Sequence, residues 1–270
     1  MTVMTAAPTF TSLNGVLTGQ TFRAMEEHNR SFLAEHHRAL AYYRRRWVND
    51  PLHAWSRRWE YPFVFDALSA KVDGPATILD AGAGATFFPF FVAEHISDSV
   101  VHAVDNDSRL REVYDSAAHP AVRFETEDIC AMSFPTGHFD AGYSVSVLEH
   151  IPDRSGVAAE MARVLKPGAP LVMTIDISLD GRDEIRIEEA EELLLELERG
   201  FEPVGDSLTL RQAVADPDLL VTTKMDPSEL PWSQSIPARV YRMLRYHKSP
   251  FRSATPALTV YGTTWRRRTH

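Results

Sequence analysis

The chain changes its hydrophobic rhythm once, near residue 75. Before that point Phe32, His36, Leu40, Tyr43 and Trp47 recur at helical spacing with polar residues between them, which predicts a helix from Thr21 to Val48. Asp50-Pro51 should end it, because the residue before a proline is driven out of the α region. An aromatic stretch follows (Trp55, Trp59, Tyr61, Phe63, Phe65) and leads into a second helix that stops near Val72-Asp73-Gly74-Pro75. The first 18 residues are small, polar and aperiodic, and are expected to form a mobile tail.

Beyond residue 75 short apolar runs alternate with helical ones. Ala76–Ala81, Ser99–Val104, Val122–Glu125, Phe139–Val145 and Leu171–Asp176 read as strands. Phe87–His95, Ser108–Ala118, Ser155–Leu165 and Ile187–Arg199 read as helices. That cadence implies an α/β fold: a doubly wound, mainly parallel sheet covered on both faces. Phe201–Val204 and the alternating Leu258–Trp265 would complete it. About fifty residues rich in Pro, Trp and Arg separate those two strands, too many for a plain connection. The expected organisation is a tail (1–18), a helical cap (19–75), an α/β core (76–205), an insertion (206–257), and a last strand with a basic tail (258–270).

Composition narrows the class. The 270 residues are 44% hydrophobic and 24% charged, as in a globular chain rather than a disordered one. No apolar run reaches the roughly 18 residues that span a bilayer. The N-terminus lacks a basic segment followed by an apolar core, so no secretory signal is expected. The single cysteine, Cys130, excludes an internal disulfide and a cysteine-built metal site, and a reducing cytoplasm fits it best. A net charge of −9 argues against a general nucleic-acid coat. That charge is uneven: Asp176 to Arg199 holds ten acids and three bases, and Ser235 to His270 eight bases and no acid. Such runs mark either a binding face or two solvated surfaces.

The chemistry collects at the strand ends. AGAGAT follows the first strand, and Gly82 and Gly84 let the backbone turn tightly and approach a ligand. Asp105 ends the second strand, where a carboxylate can accept from both hydroxyls of a ribose. A glycine pattern alone fits any nucleotide-type ligand, NAD included. Asp80, two residues before the first glycine, suits a ligand with an ammonium group better than a pyrophosphate. Glu127-Asp128-Ile129 follows the third strand and offers an acceptor for an adenine amino group, with an apolar side chain for the ring.

ILDAGAG, HAVDND, EDICAMSFPTGHFD, VSVLEHIPD and MARVLKPGAPLVMTI occur in this order and at matching spacing, and over residues 76–176 the chain resembles the class I S-adenosylmethionine-dependent methyltransferases. WEYPF (59–63) also resembles a segment of some bacterial small-molecule members. The resemblance implies a seven-stranded Rossmann-like sheet, S-adenosyl-L-methionine as cofactor and a small-molecule acceptor. It implies that Asp80, Gly82 and Gly84 lie along the methionine moiety, and that Asp105 holds the ribose hydroxyls beside Asn106. Asp128 and Ile129 would meet the adenine, and Ser144 and Val145 would offer backbone to the methionine part. Thr86 stands where the family has a third glycine, which is tolerable without a pyrophosphate to cradle.

A base is needed only if the acceptor must lose a proton. His150 after the fourth strand and Asp176 at the end of the fifth are the candidates, each against the plainer reading of a capping or packing residue. Cys130 reads as a packing residue, Trp55 and Trp59 as core. No metal is expected, since His36-His37 point different ways on a helix and no ligand spacing stands out. In the insertion, Arg239, Arg242, Arg245 and Lys248 with Trp232, Tyr241, Tyr246 and Phe251 would enclose an acceptor, an anionic one gaining from the bases. The alternatives are an RNA or protein methyltransferase using the basic C-terminal stretch, and a non-methylating cofactor-binding protein of the same fold.

Overall fold

A computed structural model describes residues 5–46, 50–205, 209–226, 230 and 255–269. Five parallel strands form the centre: β2 (Ala76–Ala81), β3 (Ser99–Asp105), β4 (Val122–Thr126), β5 (Ala141–Val145) and β6 (Pro170–Ser178). The long strand β9 (Leu258–Arg267) runs antiparallel to β6. Its outer edge is shared end to end by β8 (Phe201–Pro203) and β1 (Thr5–Ala6). A two-residue strand β7 (Ile185–Arg186) pairs with the end of β6. The main order is β1-β9-β6-β5-β2-β3-β4, so the expected doubly wound sheet is present. The winding reverses between β2 and β5, and a crevice opens at the carboxyl ends of strands that diverge this way.

Side-chain alternation sorts the sheet into two apolar faces. Ile78, Val101, Ala103, Tyr143 and Val172 face one core with α2 (Gln20–Glu35), α4 (Arg57–Ser69), α5 (Phe88–His95) and α6 (Arg111–Ala117). Leu79, Ala81, Leu171, Met173, Ile175 and Ile177 face the other with α7 (Arg154–Val164) and α8 (Ile187–Glu198). A smaller cluster joins Leu13, Trp55, Trp59, Leu220, Leu258 and Val260.

Two local expectations fail for identifiable reasons. Residues 5–17, read as a mobile tail, form β1 and a helix α1 (Phe10–Leu17). Thr9 and Ser12 cap that helix reciprocally, a serine-based box in place of the more legible glutamate. The Phe10 and Thr11 amides donate to Asp218, and Leu13 is buried, so the anchor is some 200 residues away in sequence. The helix expected over 21–48 breaks after Glu35, where His37 Nδ1 meets the Ala34 carbonyl at 3.0 Å, and resumes as α3 (Ala41–Arg46). Trp47 and Val48 lie outside the described residues.

Most charges of the two runs that fall on described residues are paired at the surface. Acids of α8 pair with Arg154, Arg186 and Arg211. At the other end Arg266 pairs with Glu202, while Arg267 and Arg268 donate to the carbonyls of Ala162, Gly200 and Glu198. The bases at 239–252, and the rest of the insertion from 231 to 254, lie outside the described residues.

Candidate active site

The glycine loop is shaped by its neighbours. Gly82 and Gly84 hold φ of +85° and +60°, in the left-handed region where glycine alone is unstrained. The Gly82 and Ala83 amides donate to the Val104 carbonyl at 2.9 and 3.0 Å, which ties the loop to β3. A Cβ on Gly82 would meet the Val147 side chain at 2.5 Å, so the residue is required by space as well as by φ. Asp105 accepts from the Gly84 amide through Oδ2 (3.0 Å) and from the Asp107 amide through Oδ1 (2.9 Å). Each carboxylate oxygen keeps a further lone pair for a ligand. Beneath the loop Asp80 is buried, and burial pushes its carboxyl up to about 8, with Asp105 adding to the rise against the Tyr143 hydroxyl.

A cavity of about 490 Å³ opens over this loop at the switch point. Asp80, Gly82, Gly84, Asp105, Asn106, Asp128, Ile129 and Val145 line it, as do His150 and Asp176. Ser144 does not: its side chain is buried within the sheet and donates to the Ala81 carbonyl at 2.9 Å. The cavity is reached instead by Ser146 and Val147, just beyond the strand. Asp128 Oδ1 accepts from the Cys130 amide at 2.9 Å, and burial together with Asp128 pushes the Cys130 thiol up, away from nucleophilic reactivity.

The opposite wall belongs to the helical cap of residues 19–75, although none of its individual residues was read from the sequence as a site residue. It comes from α4 and the segment before it, held in place by Asp50, whose carboxylate accepts from Asn29 Nδ2 at 2.8 Å and meets His53 Nδ1 at 2.8 Å. Pro51, Ala54, Trp55, Ser56, Arg57 and Tyr61 line the cavity from this side. Trp59 does not, and stacks on Phe63 with 4.7 Å between centroids, as a core residue. Glu60 is wholly buried and accepts from Ser146 Oγ (2.5 Å), Thr174 Oγ1 (2.6 Å) and Arg57 Nη1. Burial would raise its carboxyl, but the guanidinium and the hydroxyls outweigh that and hold it below the usual range. The same Arg57 nitrogen donates to Ser146 Oγ at 2.8 Å. Ser146 sits at φ +48°, a costly conformation for a non-glycine residue, fixed here by its side chain and by its amide on the Thr174 carbonyl (3.0 Å).

Behind β6 a second carboxylate enters. Glu149, in the turn Leu148–His150, accepts the Asp176 amide through Oε1 at 2.9 Å. Both side chains are buried, and Glu149 Oε2 and Asp176 Oδ1 have no hydrogen-bond partner among the described residues. Burial, and for each the other carboxyls nearby, raise both well above the usual carboxylate range. His150 is more than half exposed at the rim, with Nδ1 3.2 Å from Glu184 Oε2. The helical cap also pins the loop after β3, for Tyr43 Oη donates to Asp107 Oδ2 at 3.1 Å. Among the described residues no three His, Cys, Asp or Glu side chains are grouped to hold a metal ion, and no helix is long and apolar enough to cross a membrane.

The sheet order, its switch point and the glycine loop define a Rossmann-like nucleotide-binding architecture. Residues 79–173 match the methyltransferase-domain family model, a stretch running from β2 into β6. The chain is 31% identical over 98 residues to the 2-methyl-6-phytyl-1,4-hydroquinone methyltransferase of Synechocystis sp., covering 36% of this chain and 31% of that protein. It is 32% identical over 131 residues to the ubiquinone biosynthesis O-methyltransferase of Xanthomonas oryzae pv. oryzae, covering 46% of this chain and 51% of that protein. The matched region therefore spans about half or less of these relatives. The 4+2 cyclase SpnF has the same fold, with a TM-score of 0.55 at 19% identity over 83% of this chain and 87% of that one. Over residues 79–173 the chain is thus similar to a methyltransferase domain, set in a Rossmann-like fold.

Proposed function

We propose that the chain binds S-adenosyl-L-methionine in the cavity and transfers its methyl group to a small-molecule acceptor. The observation that carries this is the Gly82–Gly84 loop, held open on the Asp105 carboxylate at the sheet's switch point. In this reading Asp105 accepts from the ribose hydroxyls beside Asn106, and Asp128 and Ile129 take the adenine. The Gly82 and Gly84 backbone, with Val145, lies along the methionine part. Asp80 fits the cofactor's ammonium group: a buried carboxyl whose proton is held up to about 8 ionises once a cation replaces that proton.

The cofactor, when bound, supplies an electrophilic methyl group on a sulfonium. The protein's task is then to align the acceptor, which can be worth roughly 7–11 kcal/mol, and to receive a proton where one must leave. Asp176, on the cavity wall, is the better placed of the two candidate bases. His150 at the rim, paired with Glu184, is suited to passing the proton to water. The described acceptor side offers Trp55, Tyr61, Asp176 and Glu184, and its one guanidinium, Arg57, is already paired with Glu60. An anionic acceptor would therefore need the bases of 239–248, and the described wall favours a neutral one. The lone Cys130 fits a reducing cytoplasmic setting.

Methyl-labelled cofactor added with the chain to a cell extract tests the reading. Label in small molecules is the expected result. Label confined to RNA or protein would move the acceptor to a macromolecule. Cofactor binding with no transfer to any fraction would favour a non-methylating member of the fold.

A further inference from the structure

Four charged side chains meet where α4 crosses β5 and β6, and their charges do not cancel. Arg57 is paired with Glu60, and Ser146 and Thr174 fill the remaining valences of that carboxylate. Glu149 and Asp176 are left, 4% and 9% exposed, with one oxygen of each unpartnered among the described residues. Among the described residues the groups facing them are Arg57 and Glu60 from α4, Glu184 from the segment before β7, and the Ser146 hydroxyl; none of these is an uncommitted cation, since Arg57 is held by Glu60, and the nearby His150 meets Glu184. Two adjacent carboxylates in such a place cannot both ionise at a tolerable cost. The pair is also asymmetric: Asp176 lines the cavity, and Glu149 lies behind it on the Asp176 amide.

We propose that Glu149 and Asp176 share one proton, and that Asp176 is the group that takes the acceptor's proton, with Glu149 as its positioning residue. The proposal rests on the methyltransferase reading above and deepens it by naming the acceptor class: a neutral molecule whose methylated atom carries an O–H or N–H hydrogen. With the shared proton on Glu149, the Asp176 carboxylate accepts the hydrogen bond from that O–H or N–H. As the acceptor lone pair bonds to the methyl carbon, the carbon–sulfur pair stays on sulfur and the acceptor's proton passes to Asp176. Both carboxyls are then neutral, and one proton leaves through the His150–Glu184 rim to restore the pair. Glu149 thus does two things to Asp176: it fixes its backbone, and it makes a second ionisation unfavourable, so the pair titrates as a unit. The burial-raised affinity of both carboxyls for protons agrees with this arrangement.

The test is a carbon-13 titration of the Asp and Glu side-chain carboxyls in the intact chain, with and without S-adenosylhomocysteine, for wild type, Glu149→Gln and Asp176→Asn. Wild type should show one protonated carboxyl between the two at neutral pH and two separated steps. Glu149→Gln, which keeps an acceptor for the Asp176 amide, should collapse the Asp176 response to one step. Both carboxyls ionised at neutral pH, both protonated there, or an Asp176 curve indifferent to Glu149→Gln would each overturn the proposal. Once an acceptor is in hand, Asp176→Asn should lower kcat by about 10²–10⁴-fold with cofactor affinity unchanged. Glu149→Gln should instead move the acidic limb of the kcat–pH profile to lower pH, since the competing carboxyl is gone. Failure of the methyltransferase reading is recognised separately, by absence of cofactor binding or of transfer, and leaves the carboxyl titration readable.

Discussion

On the side of β2, β3 and β4 the cavity wall is backbone held in shape by single hydrogen bonds: two glycines at positive φ, two amides on Val104, two more on Asp105. On the side of α4 and β6 it is a set of buried charges, with Glu60 gripping Arg57, Ser146 and Thr174, and Glu149 behind Asp176. The first wall is local in sequence, each partner within about one β-α-β unit. The second joins residues 86 and 114 positions apart. The first suits a ligand of fixed shape; the second sets charge and proton affinity on the opposite side of the cavity.

The comparison is broken most severely at Glu60. Glu60→Ala leaves the Arg57 guanidinium buried without its counter-charge, and should cost about 3–5 kcal/mol of stability by chemical denaturation. Glu60→Gln, which keeps the oxygen that accepts from the hydroxyls, should cost less. A neutral outcome for Glu60→Ala would mean that the second wall is held by packing. Gly82→Ala attacks the first wall: the left-handed backbone costs roughly 1–3 kcal/mol for a non-glycine residue, and the contact with Val147 adds to it. Its stability loss should come with a loss of cofactor affinity, whereas that of Glu60→Ala should leave affinity for the cofactor's adenosine portion nearly intact.

The division between these walls is also the division between what could and could not be read from the chain. The strands, their order of appearance and the gathering of Asp80, Gly82, Gly84, Asp105, Asn106, Asp128, Ile129 and Val145 at one cavity were legible, because a strand, a tight turn and the next strand's last residue are one continuous pattern. Ser144 does not line the cavity: strand alternation turns its side chain into the sheet, and the chain meets the cavity from Val145 to Val147. Arg57 and Glu60 were missed, since no periodicity reveals partners 86 to 114 residues away. Glu149 and Glu184 were missed although Asp176 and His150 stand nearer in sequence, because each pair meets only through the fold. The one available signal was Glu60 itself, a charge between Trp59 and Tyr61 in an apolar stretch, which had to be buried and therefore paired. The ordered N-terminal helix escaped for the same reason, its anchor being Asp218.

Two smaller effects sharpen the contrast. Asp80, Glu149 and Asp176 all bind protons more tightly in the folded chain than unfolded. Their stabilising contribution is full below the ordinary carboxylate pKa of about 4 and is lost as pH rises, that of Asp80 through about 8. Thermal stability should therefore fall across that interval, and Asp80→Asn should flatten part of the decline; a curve unchanged by Asp80→Asn would place the loss elsewhere. The smallest effect is expected at the rim. His150→Ala should lower turnover less than tenfold, about 1.4 kcal/mol, because an exposed imidazole passing a proton can be replaced by water. A loss of a hundredfold or more would make His150, and not Asp176, the group that receives the acceptor's proton.

The central claim, that the glycine loop and Asp105 form an S-adenosylmethionine site, is tested most directly by calorimetric titration of S-adenosylhomocysteine into wild type and Asp105→Ala. The expected result is one site per chain in wild type and a loss of roughly 1.5–3 kcal/mol in the variant, the scale of hydrogen bonds to a charged group. No binding to wild type, or equal affinity in Asp105→Ala, would contradict it.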